Sequence, residues 1–155
     1  MVSLVHPFNI HFRTSNSFLI SVGWWPDSID LSKAARLKGS AFRVESQRVD
    51  WITMALQTIV PEHRDFQQIT IYLPYDPRLS GAGADVRRIA GELIFEQWLE
   101  LDRILVQLWE SHSIRPKIMC FAPRGMEKEI TECVGRLLPE ITGREIVDLA
   151  EWIFR

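Results

Sequence analysis

The chain has 155 residues, 46 % of them apolar and 25 % charged, enough to build one domain with a buried core and far from the composition of a disordered chain. A net charge of −2, with 18 Lys and Arg scattered along the chain, excludes the basic footprint of a nucleic-acid binder or a membrane-surface protein. The start Met1-Val2-Ser3-Leu4-Val5-His6-Pro7 lacks the basic and apolar stretches of a signal peptide, no run is long enough to span a membrane, and two cysteines, Cys120 and Cys133, point to buried reduced thiols in an intracellular protein, cytoplasmic or nuclear.

Residues 8–13 alternate apolar Phe8, Ile10 and Phe12 with Asn9, His11 and Arg13, the pattern of a half-buried strand. The polar turn Thr14-Ser15-Asn16-Ser17 joins it to the apolar run 18–22, so an N-terminal β-hairpin is expected. Residues 23–39 read as loop, with Pro26, Asp27 and a small cluster of Leu31, Ala34 and Ala35, and Ala41-Phe42-Arg43-Val44 reads as a short strand. A helix is predicted from near Ser46 with Val49, Ile52, Ala55, Leu56 and Ile59 on one stripe. Pro61 ends it, because the residue before a proline avoids the helical region.

The predicted strand 69–73 runs into Pro74-Tyr75-Asp76-Pro77-Arg78-Leu79-Ser80-Gly81-Ala82-Gly83, the strongest loop in the chain and the seam, at about 74–84, between its halves. Asp85 is placed to cap a long helix with Val86, Ile89, Ala90, Leu93, Ile94, Trp98, Leu101, Leu105 and Leu108 on its stripe. That pattern continues unbroken to about His112, although Gly91 loosens it near the start. A strand at 118–121, a turn at Pro123-Arg124-Gly125, a helical region at 127–138, an interruption at Pro139 and a last helix at 143–154 follow. Trp152-Ile153-Phe154 is expected to dock the C-terminus.

Twice, therefore, an amphipathic helix passes through a short polar joint into an apolar strand. Such units bury their apolar surface by stacking on one another, which argues for a scaffold and not for a reaction. The chain has six tryptophans. Trp51, Trp98 and Trp109 fall on helical stripes and are assigned to the core. Trp24 and Trp25 are adjacent and precede Pro26; on a strand neighbours point to opposite faces, so one of the pair is expected to face a protein partner.

No catalytic set emerges. Gly81-Ala82-Gly83 lacks the third glycine of the dinucleotide fingerprint, Val86 standing in its place, and no glycine-lysine-serine/threonine triplet marks a P-loop, so no cofactor or small-molecule ligand is expected. His6, His11, His63 and His112 are isolated and no CxxC pair exists, so no metal site is expected. Gly39-Ser40-Ala41 is not a nucleophile elbow. Leu138-Pro139-Glu140-Ile141 looks like the start of an F-box, but too little chain follows to complete one.

The order of elements also suggests a ribonuclease-H-like fold: three antiparallel strands, then helix, strand, helix, strand, helix. Glu45 and Asp76 fall at suggestive places for a two-metal site. The first strand offers Asn9, His11 and Arg13 and no carboxylate, so only a degenerate relative with lost or weak metal-dependent nuclease activity is consistent with it.

Trp98-Leu99-Glu100-Leu101-Asp102-Arg103-Ile104-Leu105 leading to the strand at Ile118, Leu137-Leu138-Pro139, and the closing Ile146-Val147-Asp148-Leu149 resemble the C-terminal part of uncharacterised fungal leucine-rich-repeat-like proteins, many of them F-box-associated. The unit from Trp51 to Leu73 resembles a preceding irregular repeat, and together the two cover about two thirds of the chain. The family's closing arginine-glycine is Gly143-Arg144 here. The resemblance implies an α/β fold of irregular leucine-rich-repeat-like helix–strand units with an N-terminal hairpin, in one domain over residues 1–155 that is either whole or a fragment of a larger repeat protein. It further implies a non-enzymatic protein-interaction module of unknown partner. The alternative is the degenerate ribonuclease-H-like mixed sheet.

Overall fold

The computed structural model describes residues 8–13, 17–22, 39–44, 48–59, 66–122 and 124–153. Six strands form one sheet: β1 (Phe8–Arg13), β2 (Ser17–Val22), β3 (Gly39–Arg43), β4 (Gln68–Pro74), β5 (Lys117–Ala122) and β6 (Asp148–Ile153). They lie side by side in chain order. β1 and β2 are antiparallel, with Ile10 opposite Ile20, which is the expected hairpin. All later pairs are parallel, placing Phe42 beside Ile71, Ile71 beside Ile118 and Ile118 beside Leu149. The third strand thus runs parallel to the second and not antiparallel, as the ribonuclease-H-like alternative requires.

Helices occupy the connections from β3 onward: α1 (Asp50–Gln57), α2 (Val86–Ala90), α3 (Glu92–His112), α4 (Glu127–Leu137) and α5 (Pro139–Gly143). α1 packs on α3, and α3 packs on α2, α4 and α5, so the helices form a single connected layer. Under that layer lies one continuous cluster of buried residues. It takes alternate positions of the strands (Phe42 and Val44; Ile69, Ile71 and Leu73; Ile118, Cys120 and Ala122) together with the helical stripes. Period-two alternation turns these side chains to one face of the sheet. Trp51 meets Phe42 edge to face, ring centroids 5.8 Å apart, which locks α1 onto β3.

The stripe Val49, Ile52, Ala55, Leu56 and Ile59 is buried throughout. α1 nevertheless begins at Asp50, later than Ser46, because Val49 is still non-helical at φ −133°, and it closes at Thr58, whose hydroxyl donates to the Ala55 carbonyl at 2.6 Å. Pro61 lies outside the described residues.

The helix expected to run unbroken from Asp85 to His112 is two helices. Gly91, at φ 96° and ψ 159°, occupies a region open essentially to glycine alone and breaks the ladder between α2 and α3. The break also changes the phase of the stripe: Leu93, expected in the core, is 72 % exposed, whereas Trp98, Leu101, Leu105 and Leu108 are buried as expected.

Two corrections fall in the C-terminal part. The break expected at Pro139 is present, α4 ending at Leu137, but helix resumes at once and not at 143, with Pro139 opening α5 where its missing N–H is not needed. The segment expected as a final helix over 143–154 instead holds a turn, with Glu145 at the left-handed φ 58°, and then strand β6. Pairing with the backbone of β5 outweighs the helix propensity of Leu149, Ala150 and Glu151.

Candidate interaction surfaces

One face of the sheet carries the core; the opposite face has no described helix packed on it. Its positions alternate with the buried ones, and in register a row crosses the centre of the ladder: Arg43 on β3 beside Tyr72 on β4, and Tyr72 beside Met119 on β5. Arg43 is exposed, and Tyr72 and Met119 are half-buried. Parallel sheets are normally covered on both faces; among the described residues helices pack on one face of this ladder, and on the other Thr70 is nevertheless only 6 % exposed. Arg, Tyr and Met are also among the residues enriched where proteins meet.

A second surface lies on the helix side, where α1 and α3 leave an open groove of about 310 Å³. α1 contributes Asp50, Thr53, Met54 and Gln57, and α3 contributes Leu93, Glu96, Gln97 and Glu100. Both sets follow the i, i+3, i+4, i+7 spacing that puts residues on one helical face. Met54, 43 % exposed, and Leu93 are the exposed large apolar residues among those described. Gln97 ties the two helices together, its Oε1 accepting from the Val49 N–H at 3.2 Å, as a capping-box Gln would at the start of a helix.

The polar groups of this groove are incompletely paired. Thr53 is only 5 % exposed and its hydroxyl has no hydrogen-bond partner among the described residues. The Asp50 Oδ1 is sealed from solvent without a partner among the described residues, while Oδ2 accepts from Arg48 at 2.9 Å. Leaving a buried polar atom unpaired costs about 1–3 kcal/mol. Three carboxylates and no cation line the groove. Arg103 pairs with Glu100 and Arg48 with Asp50, leaving Glu96 without an ion pair among the described residues.

The residues singled out from sequence fall elsewhere. Trp24, Trp25 and Glu45 lie outside the described residues. Asp76 is committed to structure: it takes the Arg78 N–H at 3.0 Å as cap of a 3-10 turn at Pro77–Leu79 and pairs with the Arg78 guanidinium at 2.8 Å. Beyond it, Gly81-Ala82-Gly83 is a turn leading to Asp85, which caps the short α2 by accepting from the Arg87 N–H at 2.9 Å. The strand order never reverses, so the sheet offers no switch point of the sort at which doubly wound folds hold nucleotides. His112 shares a 2.7 Å hydrogen bond with Ser111.

Cys120 and Cys133 are both buried. Burial, with the neighbouring Cys133 as a second cause, pushes the Cys120 thiol up to about 12, and burial likewise raises Cys133. Among the described residues no three His, Cys, Asp or Glu side chains group to hold a metal ion, and no helix is long and apolar enough to cross a membrane.

Neither surface was singled out from the sequence. The groove stripes carry a mixed polar pattern, and their one visible signal was Leu93, an apolar residue just beyond a glycine in mid-helix. No family model, curated protein or solved structure matches the chain, so no relative's residues carry over to it.

Proposed function

We propose that this chain is a non-enzymatic protein-interaction module built from irregular, leucine-rich-repeat-like helix–strand units, whose sheet face opposite the described helices contacts the partner. One observation carries it: a parallel ladder in chain order under a single helix layer, with Arg43, Tyr72 and Met119 in register across the other face. Repeat proteins stack helix–strand units in this way and use the resulting extended surface for recognition. The free, buried thiols of Cys120 and Cys133 fit a reducing compartment, cytoplasmic or nuclear.

The test is site-specific crosslinking. A photoreactive residue at position 72 or 119 should capture a partner protein that the same probe on the solvent side of α4, at Glu132, does not. Met119→Glu should abolish capture without lowering the melting temperature. Equal capture from position 132, or undiminished binding by Met119→Glu, would remove the sheet face from consideration.

A further inference from the structure

Beyond the sheet face, we propose that residues 75–90 form a lid over one face of α4, hinged at Gly91, which opens as a unit while the sheet and α3 stay folded. Opening presents Cys133 and the wall of α4 around it to solvent, a surface that the closed chain withholds. The segment is tied to itself. The Tyr75 and Ser80 hydroxyls share a 2.6 Å hydrogen bond, Asp76 caps and ion-pairs with Arg78, and Asp85 accepts from the Arg87 N–H. None of these bonds breaks when the segment moves as one body.

Its hold on the rest of the chain is light. Leu79 and Val86 are its buried side chains, each 3 % exposed, whereas residues 77–78, 81–83, 85 and 87–88 face solvent. A segment with so few buried apolar contacts lies at the low end of local stability and opens before the whole domain does. At the hinge, Gly91 has nothing within 4 Å of where a Cβ would stand, and glycine turns freely between the two halves of φ space. Arg87 reaches across that hinge as a latch. Its Nε meets Glu92 at 3.1 Å, and its guanidinium stands 4.4 Å from the centre of the Phe95 ring. Both partners of the ion pair are exposed, so the latch is weak.

The far end of the lid rests on α4, where the Arg136 guanidinium donates to the Leu79 carbonyl. Cys133 precedes Arg136 by three positions and so shares its side of the helix, which places the turn at Pro77–Leu79 across the thiol. Cys133 is fully buried there; burial is the largest influence on the thiol and raises its pKa, while the Asp76 N–H, within reach of the sulfur, opposes it. Cys120 is covered differently. It stands on the core face of β5, a strand paired on both sides by β4 and β6, and stays sealed while the helix layer stays in place. The two cysteines therefore report on two different openings of the same molecule.

The experiment follows the initial rate of iodoacetamide labelling of the full chain at pH 8, resolved for each cysteine by mass spectrometry. Cys133 should label at least about tenfold faster than Cys120, because it needs the smaller opening. Val86→Ala, which removes two buried methyl groups from the lid, should raise the Cys133 rate about tenfold. Arg87→Gln, at an exposed site, should raise it about threefold by releasing the latch. Leu105→Ala, in the core beneath α3, should speed Cys120 at least about tenfold and leave Cys133 at the parent's rate. Sub-denaturing urea checks this without any variant: the Cys120 rate should climb steeply and the Cys133 rate barely, since opening the lid exposes little surface. The proposal is overturned if both cysteines label at one rate with one urea dependence, or if Leu105→Ala speeds both alike. It is also overturned if Val86→Ala and Arg87→Gln leave the Cys133 rate unchanged, which would mean that the thiol is reached by a route other than the lid.

Discussion

Asp102 sits on α3 at 3 % exposure, and its carboxylate holds the start of α5 from across the helix layer. Oδ2 accepts from the Glu140 N–H at 2.7 Å and Oδ1 from the Ile141 N–H at 3.1 Å. These are donors that a helix leaves unpaired in its first turn, and Leu138, the residue before α5, has no side chain to cap them. Hydrogen bonds to a charged group contribute about 1.5–3 kcal/mol each, so two amount to a gross of about 3–6 kcal/mol. Against this stands desolvation. Burial is the largest influence on Asp102 and raises its pKa, with the charge of Glu140 adding to it, while the two N–H groups and Arg144 pull it down. The net cost of Asp102→Ala is therefore expected at about 2–4 kcal/mol in urea denaturation followed by circular dichroism.

Asp102→Asn should also destabilise, because its amide turns a donor toward one of the two N–H groups. The pH dependence has a definite sign. A carboxyl raised above its ordinary value of 3.8 binds its proton more tightly folded than unfolded. Its stabilising contribution is full below that value and is lost as pH rises through the folded pKa. The gap between parent and Asp102→Asn should widen as the pH falls through that window. An Asp102→Ala protein within about 0.5 kcal/mol of the parent would refute the capping role, and a gap that narrows on acidification would show that burial does not govern this carboxyl.

Leu105, fully buried in α3, should cost about 2–5 kcal/mol when replaced by Ala, and a melting temperature within a degree of the parent's would show that it does not serve the core. Gly91→Ala meets no atom within 4 Å of the added Cβ, so its expected cost of about 1–3 kcal/mol is purely conformational, and a neutral or stabilising result would contradict the backbone break. Cys120, its thiol pushed up to about 12, should react with iodoacetamide at pH 8 only at the rate of unfolding; rapid labelling of the native protein would show that it is reachable.

What the sequence made legible follows a physical divide. Stripes with an uninterrupted helical period, such as Val49 to Ile59 and Trp98 to Leu108, identify their own buried face, because the period alone decides it. Elements set by distant partners were not legible. β6 is composed of residues that serve a helix as well, and only the unpaired edge of β5 makes it a strand. Whether β2 and β3 are parallel turns on residues 23–38, a connection long enough for the crossover a parallel pair needs but composed like a loop. Leu93 kept the phase of Val86 on paper; Gly91 resets that phase in three dimensions. The unpaired state of Thr53 was hidden for a different reason, since residue type specifies what a hydroxyl can bond to and not what lies within its reach.

Because strand order and chain order coincide, every ladder in this sheet is closed by one intervening connection, and no strand waits for a partner made much later. During synthesis the chain emerges N-terminus first. β4 can settle on β3 as soon as α1 has formed, and β5 on β4 once α3 is complete. Each step closes a modest loop at a modest entropic cost and covers apolar surface just exposed by the preceding one. A growing polypeptide of this design carries one unpaired edge forward, and of the described strands β6 is the last laid along it.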